Sequence, residues 1–403
     1  MAIIKSWFNK QFYPSHPAIP RIFIVALCGL ILAAGARAQE VSFAGFAFAG
    51  DHAQAAQRFP YAYKVDQSLK AAGTPLTRQV IERVYAEPDA QLKRAALDKL
   101  ASLKGSDQTL LSVLLFTGET VSTEQFGSYV KTFVNLRGDA VIFDFKTKTI
   151  VRNYPISVIL FDAGTRQPTP AELEALVRDL LVRADSGGLM TQYVKRITAA
   201  TLPRPATRTM QIKPATVTPE ALALLPAALR DSPALASQVL SEAFGAVLSA
   251  KLGVSLLPTG MGGAMGAMSF RLDNGDAYDF KVGEGDYLFD VGVNKFVKVK
   301  AGESGAGTSF AYGVYGNVRF YEPLTNTDYF RSDIKNGEVK LVPAGQVSVD
   351  DAAAYEAALR GLYLKFAAAL QPQADTKWIT TAAADKNVLK QIDSTRDILK
   401  ASK

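Results

Sequence analysis

Cysteine and histidine are nearly missing from these 403 residues: the one cysteine is Cys28 and the two histidines are His16 and His52. Residues 1–38 read as a removable leader, as argued below, so the working chain would keep one histidine and no thiol. That excludes disulfides, a thiol nucleophile and thiolate metal sites. It also excludes multi-histidine zinc or iron centres, and no cofactor is expected. A Ser-His-Asp triad would have to use His52. That residue lies in Asp51-His52-Ala53-Gln54, just past a strand-like segment, where a surface histidine is the plainer reading.

A second long apolar run is missing as well. After Ile22–Ala34 no segment reaches about 18 apolar residues, so no transmembrane segment is expected in the mature chain; peripheral membrane contact remains compatible with it. A strong charge of one sign is also lacking. The chain is +7 overall, and the four basic residues of 1–38 account for much of this, leaving 7 − 4 = +3. Nucleic acid is therefore not an expected partner.

What is present begins with an export signal. Lys5, Lys10 and Arg21 precede the apolar run with no acidic residue among them. Ala36-Arg37-Ala38 then forms a small-x-small cleavage pattern, so the mature chain is expected to start at Gln39. The alternative is an uncleaved signal anchor. Cys28 follows Leu27 and precedes Gly29-Leu30-Ile31-Leu32, which places it inside the apolar run and not at a lipidation site.

An internal repeat organises the remainder. Gly138-Asp139-Ala140-Val141-Ile142-Phe143-Asp144 aligns with Gly316-Asn317-Val318-Arg319-Phe320-Tyr321-Glu322, an offset of 316 − 138 = 178. Thr147 and Thr149 then meet Thr325 and Thr327. The same offset sets Leu110, Leu111, Val113 and Leu115 on Leu288, Phe289, Val291 and Val293, and Thr132, Val134 and Leu136 on Phe310, Tyr312 and Val314. Alternation within these segments predicts strands of an antiparallel meander with one buried face.

Helices flank each meander. Thr169-Pro170-Ala171-Glu172 is a capping box with proline at the first helical position, followed by Leu173, Leu176, Val177, Leu180 and Ala184 on one face. Tyr355, Leu359, Leu362 and Phe366 repeat that pattern. Ser232-Pro233 opens another helix, ending near Gly253 and followed by a short strand, Val254–Leu257. The first half opens with a strand, Val41–Ala49, and carries a helical insertion at about 75–105 containing Gln91, Leu92, Ala95, Leu97 and Leu100. The fold class expected is α+β: two tandem lobes, each a small mainly antiparallel sheet in the order strand-helix-strand-strand-strand-helix, backed by helices. The expected boundaries are 39–204 for the first lobe, 205–370 for the second and 371–403 for a linker and polar helix. The Pro-containing stretch Thr201-Leu202-Pro203-Arg204-Pro205 divides the lobes.

The strand end Leu256-Leu257-Pro258 after a helix, with the hairpins Phe143–Val151 and Phe320–Phe330, resembles the amino-terminal domain of the TolB translocation protein. It also resembles domains of curli-secretion-type lipoproteins and of the periplasmic flagellar assembly protein T. No lipidated cysteine follows the signal, unlike the curli-type lipoproteins, and no propeller repeat follows, unlike TolB. The resemblance implies a Gram-negative envelope protein that works by contact with other proteins, and it carries over no catalytic residues.

Candidate sites are few. Gly260, Met261, Gly262, Gly263, Met265 and Gly266 follow a strand, but the spacing fits neither a dinucleotide fingerprint nor a P-loop. Two methionines in a glycine-rich loop instead suggest an adaptable apolar contact surface. Asp273-Asn274-Gly275-Asp276 reads as a hairpin turn. Asp273, Asp276, Asp279, Glu284 and Asp286 could otherwise meet around calcium, although their spacing is not that of an EF-hand. Asp144 and Glu322 are equivalent in the repeat and each is expected to support its own turn. Phe310, Tyr312, Tyr315, Phe320 and Tyr321 on one strand read as core or cross-strand pairs, or as a stacking platform. The function expected is a non-catalytic assembly or interaction factor, periplasmic or outer-membrane-associated, whose partners are other envelope proteins or a second copy of itself. The alternatives are a periplasmic hydrolase using paired carboxylates and a secreted adhesin or matrix protein.

Overall fold

In each half of the chain one or two strands run parallel to the first strand of a long three-stranded meander. The computed structural model describes residues 40–49, 54–88, 93–94, 110–144, 149–200, 202, 208–259, 267–271, 277–344, 346 and 349–401. Ala36, Ala38, Gln39, His52, the loop Gly260–Gly266, the turn Asp273–Asp276 and nearly all of Thr201–Pro205 lie outside those residues.

In the first half, β1 (Glu40–Phe48) leads into α1 (Ala55–Arg58), α2 (Pro60–Ala71) and α3 (Leu76–Ala86), then β2 (Lys93–Arg94). The meander follows as β3 (Leu110–Phe126), β4 (Tyr129–Asp144) and β5 (Thr149–Gly164), and the half closes with α4 (Pro170–Val182) and α5 (Leu189–Thr198). The sheet order is β2-β1-β3-β4-β5, with β1 parallel to both neighbours and the meander antiparallel. Lys93 and Arg94 are extended beside β1 where the periodicity predicts helix; the pairing occupies backbone groups that an edge strand would leave open. Residues 95–109 are not described.

The second half repeats the plan. β6 (Met210–Ile212) and β7 (Thr216–Val217) both run parallel to one edge of the meander's first strand. Two short helices, α6 (Pro219–Leu222) and α7 (Ala227–Arg230), precede the long α8 (Pro233–Leu252). An antiparallel pair of β8 (Ala267–Arg271) and β9 (Ala277–Lys281) comes next. The meander β10 (Tyr287–Ser304), β11 (Gly307–Glu322) and β12 (Thr327–Pro343) then leads to α9 (Asp351–Ala369), α10 (Lys377–Ala382) and α11 (Val388–Ala401). The protein is thus α+β, with two mainly antiparallel sheets backed by helices.

Local chemistry sets the helix ends as expected. Thr169 accepts from the Glu172 amide while Glu172 accepts from the Thr169 amide, the reciprocal capping box. Ser232 caps α8, and Gly253 ends it in the left-handed region at φ 65°. One cap is tertiary: the Glu119 carboxylate on β3 accepts from the amides of Tyr61 and Ala62, satisfying the exposed donors at the start of α2. Behind each sheet the helices bury an apolar face. Leu114, Phe116, Val134, Leu136 and Ile142 meet α2–α5 in one core, and Phe289, Val291, Val314 and Phe320 meet α8, α9 and α11 in the other. The fully buried rings Phe289 and Phe320 stack at 4.3 Å, each contributing roughly 1.5–3 kcal/mol by leaving water.

The repeat is visible in the register itself. Phe116 faces Gly138 and Val293 faces Gly316, and in both copies the next residue, Thr117 or Asn294, is bulged out of the ladder. At the far end Val151 and Tyr329 are bulged in turn. The offset of 178 holds for β4 on β11 and β5 on β12. On β3 and β10 it is 177, which corrects the alignment of Leu111, Val113 and Leu115 with Phe289, Val291 and Val293. Those three first-half residues point to the opposite face, and Leu114 and Phe116 are the true counterparts of Val291 and Val293. The cause is one extra bulged residue, Ala301, in the second hairpin. A one-residue slip moves a side chain to the other face of a sheet.

The halves are stitched by the segment expected as a strand at Val254–Leu257. On one side the Asn153 amide donates to Ser255 Oγ at 2.9 Å and the Leu256 amide to the Asn153 carbonyl at 2.8 Å. On the other, the Leu257 amide donates to the Met210 carbonyl at 2.7 Å. α8 packs on β5 of the first sheet as well as on α9, and the β8–β9 pair lies against β1 and β5. The tail differs from the expected linker and polar helix. Val388, Ile392 and Leu399 of α11 are buried in the second core, because they recur at helical spacing on one face. The same segment covers part of the outer edge of β12: the Ala384 amide donates to the Asp333 carbonyl and Gln391 accepts from the Arg331 amide.

Candidate functional site

The helices leave the opposite face of the second sheet outward. Period-two alternation sends Phe310, Tyr312 and Phe320 toward the helices and Tyr315 and Tyr321 outward. Register then stacks three cross-strand rows on the outward face: Val299-Ala311-Val339, Val297-Gly313-Gly337 and Lys295-Tyr315-Lys335. Val339 is 71% exposed, Val299 58%, Leu341 51% and Tyr315 39%. The Lys295 ammonium sits 5.2 Å from the Tyr315 ring centre. A Cβ at Gly337 would meet nothing closer than 3.8 Å, so internal packing does not demand glycine there, and its effect is to keep the middle row flat. The result is a shallow apolar saddle bordered by a Lys-Tyr-Lys row.

The same face is self-satisfied lower down. Arg319 lies 3.8 Å over the Tyr321 ring and donates to Asp328 at 2.6 Å and Asn326 at 2.7 Å. Neither Lys295 nor Lys335 makes an ion pair with a described residue. Lys335 and Lys340 on β12 also blunt its free edge against another strand, which leaves the face, and not the edge, as the available surface.

Carboxylates converge at the seam between the halves. Arg137 on β4 is in ion-pair contact with Glu242 on α8 and donates to Thr120 Oγ1 at 3.0 Å. Asp139 accepts from the Asn153 side chain at 3.3 Å; burial, with Glu242 nearby, pushes its carboxyl up to about 7. This is the kind of acidic pair a hydrolase would need. However, the space beside Asp139 and Glu242 is about 10 Å³, room for about one water and not for a substrate.

A larger cavity of about 290 Å³ opens elsewhere on the seam, between β4 and β5 of the first sheet and α8 and α9 of the second half. Its walls are mainly apolar, among them Phe133, Ile159, Val239, Ala243 and Leu359, and it also meets Asn135, Ser157, Glu356, Arg360 and Tyr363.

The remaining candidate residues are accounted for locally where they are described. Glu322 pairs with Arg208 at 2.7 Å and accepts from Thr325, supporting its own turn as expected. Asp286 accepts from the Thr209 amide and hydroxyl. Among the described residues no group of three His, Cys, Asp or Glu is placed to hold a metal ion. Neither the Lys-Tyr-Lys row nor the cavity is contiguous in sequence, so only the alternation around Tyr315 and the glycines at 313 and 337 hinted at the former.

No family model matches the chain, and no curated protein does. Among solved structures it is similar to protein XCC0632 from Xanthomonas campestris, described under the family model DUF330, at 13% identity and a TM-score of 0.23. That match covers 41% of this chain and 87% of the other. It is also similar to the hypothetical protein CT253 from Chlamydia trachomatis, at 8% identity and a TM-score of 0.22, covering 40% of this chain and 96% of that one. Among the described residues no helix is long and apolar enough to cross a membrane.

Proposed function

We propose that this chain is an exported, non-catalytic interaction factor of the cell envelope, periplasmic or outer-membrane-associated, and that it holds an acidic polypeptide partner on the outward face of the second sheet. The observation that carries this reading is the saddle at Ala311, Gly313 and Gly337, flanked by exposed Val299, Val339 and Leu341 and by the cationic Lys295-Tyr315-Lys335 row. Exposed apolar surface beside unpaired charge of one sign suits a partner with apolar residues set among carboxylates. The export signal supports the compartment.

The test is site-specific photo-crosslinking in native cells, with the probe at Val339 and, as a control, at exposed Leu324 on the opposite end of the meander. The mass of the exported protein is read in parallel. The reading expects a mass beginning at Gln39, a discrete crosslinked partner from position 339 only, and loss of that crosslink in Lys295→Glu/Lys335→Glu. Equal crosslinking from both positions, or none from 339, would sink it. So would binding to phosphatidylglycerol vesicles that the same charge reversal abolishes, which would assign the face to a membrane surface.

A further inference from the structure

We infer that the outer edge of β5, at Ser157, Ile159 and Phe161, is a docking edge for an extended peptide of a partner protein, which it takes up as an added strand. The peptide this edge fits is uncharged and carries apolar residues at every second position. The edge belongs to the first sheet, so the inference does not depend on the reading given to the outward face of the second.

Three observations lead to it. First, the ladder fixes which backbone groups point outward. The Asn153 amide donates to Ser255 Oγ and its carbonyl accepts from the Leu256 amide, so both face away from β4. Pro155, which has no amide to give, stands two residues on, opposite Asp139. The pairing of β4 with β5 then runs without a bulge from Asn153 to Gly164. In an antiparallel pair the outward groups recur at every second residue. The amides and carbonyls of Ser157, Ile159 and Phe161 therefore face away from β4, and no described residue bonds to them.

Second, the room for a strand lies beside them. The cavity of about 290 Å³ is bounded by Ser157, Val158 and Ile159 of β5, by Ala243 and Val247 of α8 and by Gly187 before α5. Its apolar walls suit apolar side chains at alternate positions of an added strand, while the β5 backbone supplies the hydrogen bonds. Third, the equivalent edge in the second half is defended and this one is not. At the offset of 178, Arg331 and Asp333 correspond to Asn153 and Pro155. There the tail takes up the outward Arg331 amide through Gln391 and the Asp333 carbonyl through the Ala384 amide. Farther along, Lys335 and Lys340 guard β12, whereas β5 carries no charged residue from Asn153 to Phe161. The Val254–Leu257 segment already bonds to this edge at Asn153, and an added strand continues the same ladder past Pro155.

The experiment titrates the full chain with an alternating threonine–valine hexapeptide, acetylated and amidated, and reads amide hydrogen exchange by NMR. Two isomers of the probe, N-methylated on the threonines or on the valines, block opposite edges of the peptide. Ile159→Pro removes one outward amide and spares the β4 ladder, and Ala243→Leu narrows the cavity. Near-ultraviolet circular dichroism checks the fold of each variant. The inference expects saturable one-to-one binding and slower exchange at Ser157 and Ile159. It expects binding about tenfold weaker for one isomer only, and a similar loss in whichever variants fold. If neither variant folds, the isomers decide. The inference fails if the peptide does not bind saturably, if the two isomers bind alike, or if either folded variant binds the probe as tightly as the parent. It also fails if exchange at Ser157 and Ile159 slows with rising protein concentration and no peptide, which would assign the edge to a second copy of the chain.

Discussion

At the scale of single residues, the seam sets the most demanding electrostatics. Arg137 and Glu242 are both largely buried, and each neutralises the other across the two halves. Arg137→Met should therefore cost roughly 3–5 kcal/mol, because it strands the Glu242 charge; adding Glu242→Leu should restore most of that loss. A double-mutant cycle in urea measures this, and additive losses would show that the pair is not coupled. Asp139, beside them, gives the molecule a pH slope of predictable sign. Its carboxyl is raised from 3.8 to about 7, mainly by burial, further by Glu242, and against the hydrogen bond from Asn153. Between those two values the folded chain holds a proton that the unfolded chain has released. Stability thus falls as pH rises from about 4 to about 7, by an amount on the order of a few kcal/mol at most, and is flat above. Asp139→Asn should flatten part of this slope and leave the protein as stable as the parent, or more so, at pH 8. The rest belongs to groups such as Glu356, whose carboxyl burial also pushes up to about 7. Urea titrations at pH 5 and pH 8 check this, and an unchanged slope would refute the assignment.

At the scale of elements, the repeated glycines carry the geometry of both meanders. A Cβ at Gly316 would meet the Gly292 carbonyl oxygen at 2.4 Å, and one at Gly138 would meet the equivalent Leu115 oxygen at 3.1 Å. Each glycine faces the residue just before a bulge, where the paired strands close up. Gly316→Ala must move backbone and should cost about 3 kcal/mol, whereas Gly138→Ala needs only a small shift and should cost about 1 kcal/mol. Thermal melts rank the two, and a reversed order would show that the contact does not govern. On the helix side, Thr169→Ala removes half of the capping box of α4 and should cost about 1 kcal/mol, read by urea denaturation. The sequence made both features legible in outline. The capping box is local chemistry, and Gly138 and Gly316 stand out as coincident repeat positions. The bulges beside them leave no residue signature, so the alignment on β3 and β10 was displaced by one.

For the whole molecule, the four residues Val254–Leu257 matter more than their length suggests. They join β5 to β6 and so couple two sheets that have separate cores. Leu256→Pro deletes the amide that donates to Asn153. It should raise hydrogen exchange in β5 and β6 while β3, β4 and β11 keep their protection. Uniform loss of protection across both sheets would mean that the halves unfold as one unit whatever the seam does. The tail belongs to this scale too. Its apolar positions 388, 392 and 399 can be read as a helix face, but their burial required the open edge of β12 to be near.

The sequence by itself determined the scarcity of cysteine and histidine, the duplicated meander and the ends of α4 and α8. All of these rest on composition or on contacts within a few residues, which carry a local signature. Tertiary structure alone decided the seam, the cavity and the outward saddle. Each of these joins residues far apart in the chain: Tyr315 meets Lys335 only through the register of β11 and β12, and Phe133 shares a cavity with Tyr363 only because α8 and α9 pack beside the first sheet. Alternation along a strand tells which residues share a face, but only packing decides which face is covered.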